Sequence, residues 1–276
     1  MNQQPSFDKR LTAGKQISAY TPGDPEQNPP SPVGPAPRQP SVRYDSVAPL
    51  VVYVLMGVSI LIFVLQMASQ SLYNGTDWPA LLGMKSNPAI MSGQLWRLFT
   101  PMFLHGGLLH IGFNMYALYI FGPGLERHYG HWRFLLLYLL SGFAGNVMSF
   151  LFSAAPSLGS STAIFGLLGA EAVFLYQNRR VFGGSAQRAL MNIIVIAGIN
   201  LVIGLSPGID NWGHIGGLLG GTLFAWSAGP LLRVEGIYPA LTVVDERETG
   251  ATLRASLSVG LLFVMLTAAT IYLRSR

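Results

Sequence analysis

Large apolar side chains are scarce over the first 48 positions, then dominate runs of about twenty residues to the end of the chain. A bilayer crossing takes roughly 20 apolar residues of helix. On that measure, spans fall near 49–68, 104–122, 133–153, 160–178, 189–206, 211–230 and 255–273. The stretch 134–170 holds no charged residue and is too long for one crossing. Ser153-Ala154-Ala155-Pro156-Ser157 divides it, because Pro and small polar residues stop a helix. The pattern predicts seven helices, with none of the period-two alternation of a β-barrel. No repeat relates the two halves, which argues against a transporter built by duplication.

Composition agrees with this reading. Half of the 276 residues are hydrophobic and only 11% are charged, where a water-soluble domain carries about a quarter charged residues. The chain has no cysteine, so disulfides are excluded. Its basic residues are scattered over tails and short loops rather than gathered on one face, so no nucleic-acid partner is expected. Residues 1–46, rich in Pro, Gln, Ser and Gly, cannot bury enough apolar surface to fold and are expected to form a disordered tail. They lack the apolar core of a signal peptide, and Asp8, Asp24 and Glu26 argue against a transit peptide. A proline-rich docking site is the alternative use for this segment.

The loop charges set an orientation. One side carries Arg127, Arg133, Arg179, Arg180, Arg188, Arg233, Arg247 and Arg254, together with five basic residues of the tail. The other has Lys85, Arg97, Arg274 and Arg276, and its short loops near 154–159 and 206–210 have no basic residue. The N-terminus is therefore expected in the cytosol and the C-terminus outside. The segment from Ser69 to Phe103 is long and apolar for an exterior loop, with Trp78, Leu81, Leu82, Met84, Ile90, Trp96, Leu98 and Phe99. Trp suits the membrane interface, so this loop is expected to lie partly in the outer leaflet.

Polar residues inside such spans are costly and usually functional. Gly159-Ser160-Ser161-Thr162 and Asn211-Trp212-Gly213-His214 each open an apolar, glycine-rich span. A Ser hydroxyl needs a base to take its proton, and His serves near neutral pH. Gly213, Gly217 and Gly221 recur every four residues, as do Gly216 and Gly220, and small-xxx-small spacing lets helix backbones approach closely. Ala163, Gly166 and Ala170 offer a matching small face on the Ser161 helix. From Ser161 to Gln177 is about 24 Å of helix against a hydrocarbon core of about 30 Å. The hydroxyl thus lies below the headgroups and needs a water-filled cavity. His110 and Asn114 project from one helical face, where their N–H groups could donate to an oxyanion. His105 reads as a loop anchor, and His128 and His131 lie on the cytosolic side. Glu171, the one acid well inside a span, reads as an interhelical or snorkelling group.

These residues resemble the rhomboid family of intramembrane serine proteases over roughly 47–233. The match runs through Trp96-Arg97, His110-xxx-Asn114, Glu126-Arg127, Gly159-x-Ser161 and His214-xx-Gly217-xxx-Gly221. The resemblance implies an all-α membrane protein, a rhomboid-like six-helix bundle plus one C-terminal transmembrane helix. It implies a catalytic core over 47–232, a cytosolic loop over 233–254 and the seventh helix with a short outer tail over 255–276. Ser161 would be the nucleophile and His214 its base, a dyad with no acid, so Asp210 is left out. His110, Asn114 and the Ser161 backbone would form the oxyanion hole, and Phe165 would stack on the histidine. No cofactor or metal is expected. The substrates would be single-pass transmembrane proteins cleaved in the bilayer, with the cell membrane as location. Thr162 departs from the family, which commonly has Gly there, and is expected to crowd the cavity or narrow substrate choice. The alternative is a catalytically silent rhomboid-like binder of membrane proteins.

Overall fold

The computed structural model describes residues 41–44, 47–238 and 240–276. Residues 41–44, expected within the disordered tail, instead form a strand paired with residues 240–243, and the rest of the expected tail lies outside the described residues. Strand β1 (Ser41–Tyr44) precedes α1 (Leu50–Leu72). Two short helices follow, α2 (Trp78–Gly83) and α3 (Asn87–Met91), then 3-10 turns at Leu95–Leu98 and Thr100–Phe103. The long helix α4 (Leu108–Phe152) is broken at Gly130 into two arms. The remaining elements are α5 (Ser161–Gln177), α6 (Arg179–Phe182), α7 (Gly184–Ile203), α8 (Asn211–Ala228), a hairpin of β2 (Leu232–Ile237) and β3 (Ala240–Asp245), and α9 (Ala251–Arg274).

Long helical segments stand at all seven positions where apolar runs predicted them. Four are long and apolar enough to cross a bilayer: Leu50–Leu72, His131–Phe152, Gly184–Ile203 and Ala251–Arg274. In α7 and α9 only 17% of the most apolar window is buried within the protein, against 67% in His131–Phe152. Apolar side chains left uncovered on the periphery need a hydrocarbon solvent, as in a membrane bundle.

The second arm of α4 packs with α5 and α8 at the centre; α1, α7 and α9 lie outside it. The two glycine rows of α8 face different partners. Gly217 and Gly221 meet the α5 backbone at Thr162 and Gly166, while Gly216 and Gly220 meet Met148 and Ala144 of α4. A Cβ at any of these four positions would overlap its neighbour, so glycine here is a requirement of close approach. Of the small α5 face expected toward α8, Gly166 holds that position. Ala163 turns instead toward Gly142 of α4. A helix held between two partners divides its small residues between them.

Two further departures come from tertiary contacts. The second helix does not stop near residue 122 but runs through Pro123 to the break at Gly130. The added turns bury Leu125, Glu126 and Tyr129. They also bring both Glu126 carboxylate oxygens to the Val51 and Val52 N–H groups at 2.8 Å. Helix α1, whose own N-terminal residue supplies no side-chain cap, is capped from the neighbouring helix. Gly130 takes φ 75°, a left-handed conformation that suits glycine. The segment 233–254, expected as a plain loop, contains the β2–β3 hairpin, with β1 added in parallel in the order β1-β3-β2. Most of β2 is exposed, so it lacks the one-sided apolar alternation that betrays a strand in sequence.

Candidate active site

The segment 153–160 between α4 and α5 delivers Ser161 to the first turn of α5, with Gly159 as its conformational pivot. Gly159 adopts φ 133° and lies against the His110 ring: a Cβ there would stand 2.7 Å from His110 Nε2. Its N–H donates to the Pro101 carbonyl at 2.9 Å. Both the backbone conformation and the imidazole beside it exclude a side chain.

His214 lies one turn into α8, whose start is set by Asp210. The Asp210 carboxylate caps the helix by accepting the Gly213 N–H at 3.1 Å. The close α5–α8 approach then brings His214 Nε2 to 2.9 Å from Ser161 Oγ. Phe165 stacks on the His214 ring, with centroids 4.3 Å apart and planes 12° from parallel. Among the described residues, His214 Nδ1 has no hydrogen-bond partner. The imidazole is therefore held by stacking and by Ser161 rather than by a carboxylate.

Ser161, His214, His110 and Asn114 line one cavity of about 470 Å3. His110 Nδ1 accepts the Gly106 N–H at 3.3 Å. A neutral imidazole that accepts at Nδ1 carries its proton on Nε2, the atom facing Gly159. Asn114 is buried and donates one amide hydrogen to the His110 carbonyl at 2.9 Å. Its amide has a second hydrogen to offer. The Ser161 N–H belongs to the first helical turn, whose donors have no intrahelical acceptor. Three donor groups thus belong to residues that line the cavity with the hydroxyl, two on α4 and one on α5.

Thr162 lines the cavity and also packs between helices. Its side chain occupies the space left by two glycines, where a Cβ at Gly145 would lie 2.6 Å from Thr162 Cβ, and one at Gly213 3.0 Å from its Cγ2. The β-branched residue serves as a three-helix packing contact. Glu171 is not among the cavity-lining residues.

Several supporting groups surround the site, and among them His105 was expected as a loop anchor. His105 Nε2 is 3.2 Å from Ser160 Oγ, and Gln66 of α1 bonds both the N–H and the carbonyl of His105. Ser160, next to Ser161 in the chain, and His105 are both buried. Asn146, which also lines the cavity, donates to the Leu98 carbonyl at 3.1 Å. Asp210 was visible in principle, because Asp three residues before an apolar glycine row is an N-cap pattern.

The fold and the uncovered apolar helices define a multi-pass integral membrane protein. The family model described as Rhomboid domain matches residues 92–230. Rhomboid protease GluP of Bacillus subtilis (strain 168) is 40% identical over 216 residues, covering 78% of this chain and 40% of that protein. RHOMBOID-like protein 9, chloroplastic, of Arabidopsis thaliana is 37% identical over 182 residues, 63% of this chain and 41% of its own length. RHOMBOID-like protein 6, mitochondrial, of the same plant is 44% identical over 133 residues, 48% and 43% of the two chains. The chain belongs to the rhomboid family, and the alignments span about two fifths of these relatives' length.

Proposed function

We propose that this protein is an intramembrane serine protease that hydrolyses peptide bonds in or beside transmembrane helices of its substrates. The observation that carries the reading is the 2.9 Å contact of His214 Nε2 with Ser161 Oγ inside a cavity shared with His110 and Asn114. A relative named as a rhomboid protease supports it.

In this mechanism His214 takes the Ser161 proton as Oγ attacks the scissile carbonyl. The tetrahedral oxyanion is met by the His110 Nε2–H, the Asn114 amide and the Ser161 N–H. His214 then gives its proton to the leaving amine, which departs and leaves a seryl ester. A water, deprotonated by His214, attacks that ester, and collapse of the second tetrahedral intermediate returns the proton to Ser161 Oγ. Phe165 holds the imidazole plane through both proton transfers.

The proposed topology has seven spans, a cytosolic N-terminus and an outer C-terminus. It combines a tail over 1–46, a six-helix core over 47–232, a cytosolic segment over 233–254 and a seventh helix over 255–276. The loop charges support the orientation, and the 17-residue length of α5 supports a Ser161 below the outer headgroups. Single-pass membrane proteins in the cell membrane are the proposed substrates, entering sideways because the nucleophile lies at hydrocarbon depth.

The deciding experiment is active-site labelling of the purified protein with a fluorophosphonate, followed by peptide mapping. Covalent label on Ser161, absent from His214→Ala, supports the reading. An inert Ser161 in a folded protein would leave the silent membrane-protein binder as the better description.

A further inference from the structure

Lys85 is the least expected buried residue in the molecule. It stands between α2 and α3, is 0% exposed, and neither the dyad nor the oxyanion donors make use of it. Its Nζ donates to the Ser153 carbonyl at 2.7 Å and the Ala155 carbonyl at 2.9 Å. Its backbone forms a two-bond bridge with Ser157: Lys85 N–H to Ser157 O at 2.9 Å and Ser157 N–H to Lys85 O at 3.2 Å. One residue therefore grips three positions of the segment that ends in Gly159, Ser160 and Ser161.

The neighbouring contacts show what the grip is for. Helix α4 ends at Phe152, and its last carbonyls have no helical N–H donors to meet. Asn87 donates to the Ser153 carbonyl at 3.0 Å and to the Phe150 carbonyl at 3.4 Å. Arg274, at the end of α9, donates to the Leu151 carbonyl at 2.8 Å. Cationic groups suit a helix C-terminus, and here two of them come from elements distant in sequence. Pro156, Ser157, Leu158 and Gly159 in turn form one wall of the reactive cavity.

Resting on the protease reading, we infer that Lys85 is a positioning residue for this wall. By fixing residues 153–157 it holds Gly159 against His110 and sets where the Ser161 N–H and hydroxyl stand. Lys85 touches neither substrate nor reacting atoms; it acts through the segment it holds.

Burial draws the Lys85 pKa down to about 8; Asp210 at the start of α8 opposes the shift, and Arg274 adds to it. The sign of the pH effect follows. In an opened segment the amine regains water and holds its proton more tightly, so opening takes up a proton. Raising the pH through about 8 therefore disfavours opening. A neutral amine still has two N–H groups for the two carbonyls.

The test combines hydrogen exchange with kinetics on the full-length protein. In the wild type, exchange of a peptide covering 153–160, corrected for the intrinsic pH effect, is expected to report about tenfold less opening at pH 9.5 than at pH 7.5. In Lys85→Met this response disappears and opening rises at both pH values. The same variant should lose about tenfold in kcat, the size of effect that a sub-ångström misplacement produces, with KM little changed. Fluorophosphonate labelling of Ser161 should slow in parallel. Wild-type kcat and labelling in a folded Lys85→Met protein would overturn the assignment, as would pH-independent exchange in the wild type. The wild-type exchange result decides the matter should Lys85→Met fail to fold. A wild-type Ser161 inert to the phosphonate would instead refute the protease reading, while exchange would still show whether Lys85 holds the wall.

Discussion

Each end of the bundle contains a histidine against a polar partner, and the two pairs differ in what else their atoms do. At one end His131 Nδ1 meets Glu126 Oε1 at 2.6 Å. That carboxylate is already engaged with the Val51 and Val52 N–H groups. Nearby, Asp245 meets Arg133 at 2.5 Å with one oxygen and accepts the Leu231 and Arg247 N–H groups with the other. At the opposite end His214 faces a hydroxyl on the wall of a cavity, and its Nδ1 is left without a partner among the described residues. Saturated polar groups stabilise structure; a polar pair left under-committed beside open volume can do chemistry.

Breaking the pairs is the most direct test of that contrast. Ser161→Ala or His214→Ala is expected to lower cleavage of a reporter transmembrane substrate by roughly 10⁴-fold or more, because members of one catalytic unit fail together. His131→Ala should leave turnover unchanged. Comparable losses from both histidines would erase the distinction between the two ends.

A smaller effect sharpens the reactive end. Asn114→Ala should reduce kcat by about 10²-fold, the usual loss for one side-chain oxyanion donor. Phosphonate labelling of Ser161 should persist at a slower rate, since nucleophile and base remain. Unchanged kcat in a folded variant would make Asn114 a helix-packing residue.

The structural end should respond in stability rather than rate. Glu126→Ala uncaps α1 and should lower stability by about 2–3 kcal/mol, since hydrogen bonds to a charged group contribute roughly 1.5–3 kcal/mol. Thermal unfolding in detergent measures this, and kcat well below Tm should stay at the wild-type value. A selective loss of kcat would instead link the far end to the chemistry.

The smallest effect is expected from removing residues 1–40, which retains β1 and should leave proteolysis in detergent unchanged. A truncated protein that inserts but no longer cleaves would give the tail an active role.

How much of this was legible in the sequence differs between elements. The apolar runs announced every long helical segment, because twenty apolar residues have few other soluble or membrane solutions. Ser161, His214, His110 and Asn114 stood out because polar groups in such runs need a reason. The β2–β3 hairpin was invisible, since its exposed strand carries no one-sided pattern. The continuation of α4 past Pro123 was equally hidden, because burial of Leu125 and Tyr129 outweighs the local helix-breaking signal.

The sequence by itself determined that this chain is a multi-helix membrane protein and which polar residues its apolar segments carry. Those are properties of composition and spacing, set before any helix meets another. Tertiary structure alone decided which glycine row of α8 meets α5, that Thr162 packs between helices, and that Glu126 caps α1. It also decided that Lys85, between α2 and α3, bonds to the segment that leads into Ser161. Each of these is a contact between positions far apart in the chain, and only packed backbones bring such atoms within hydrogen-bonding or van der Waals reach.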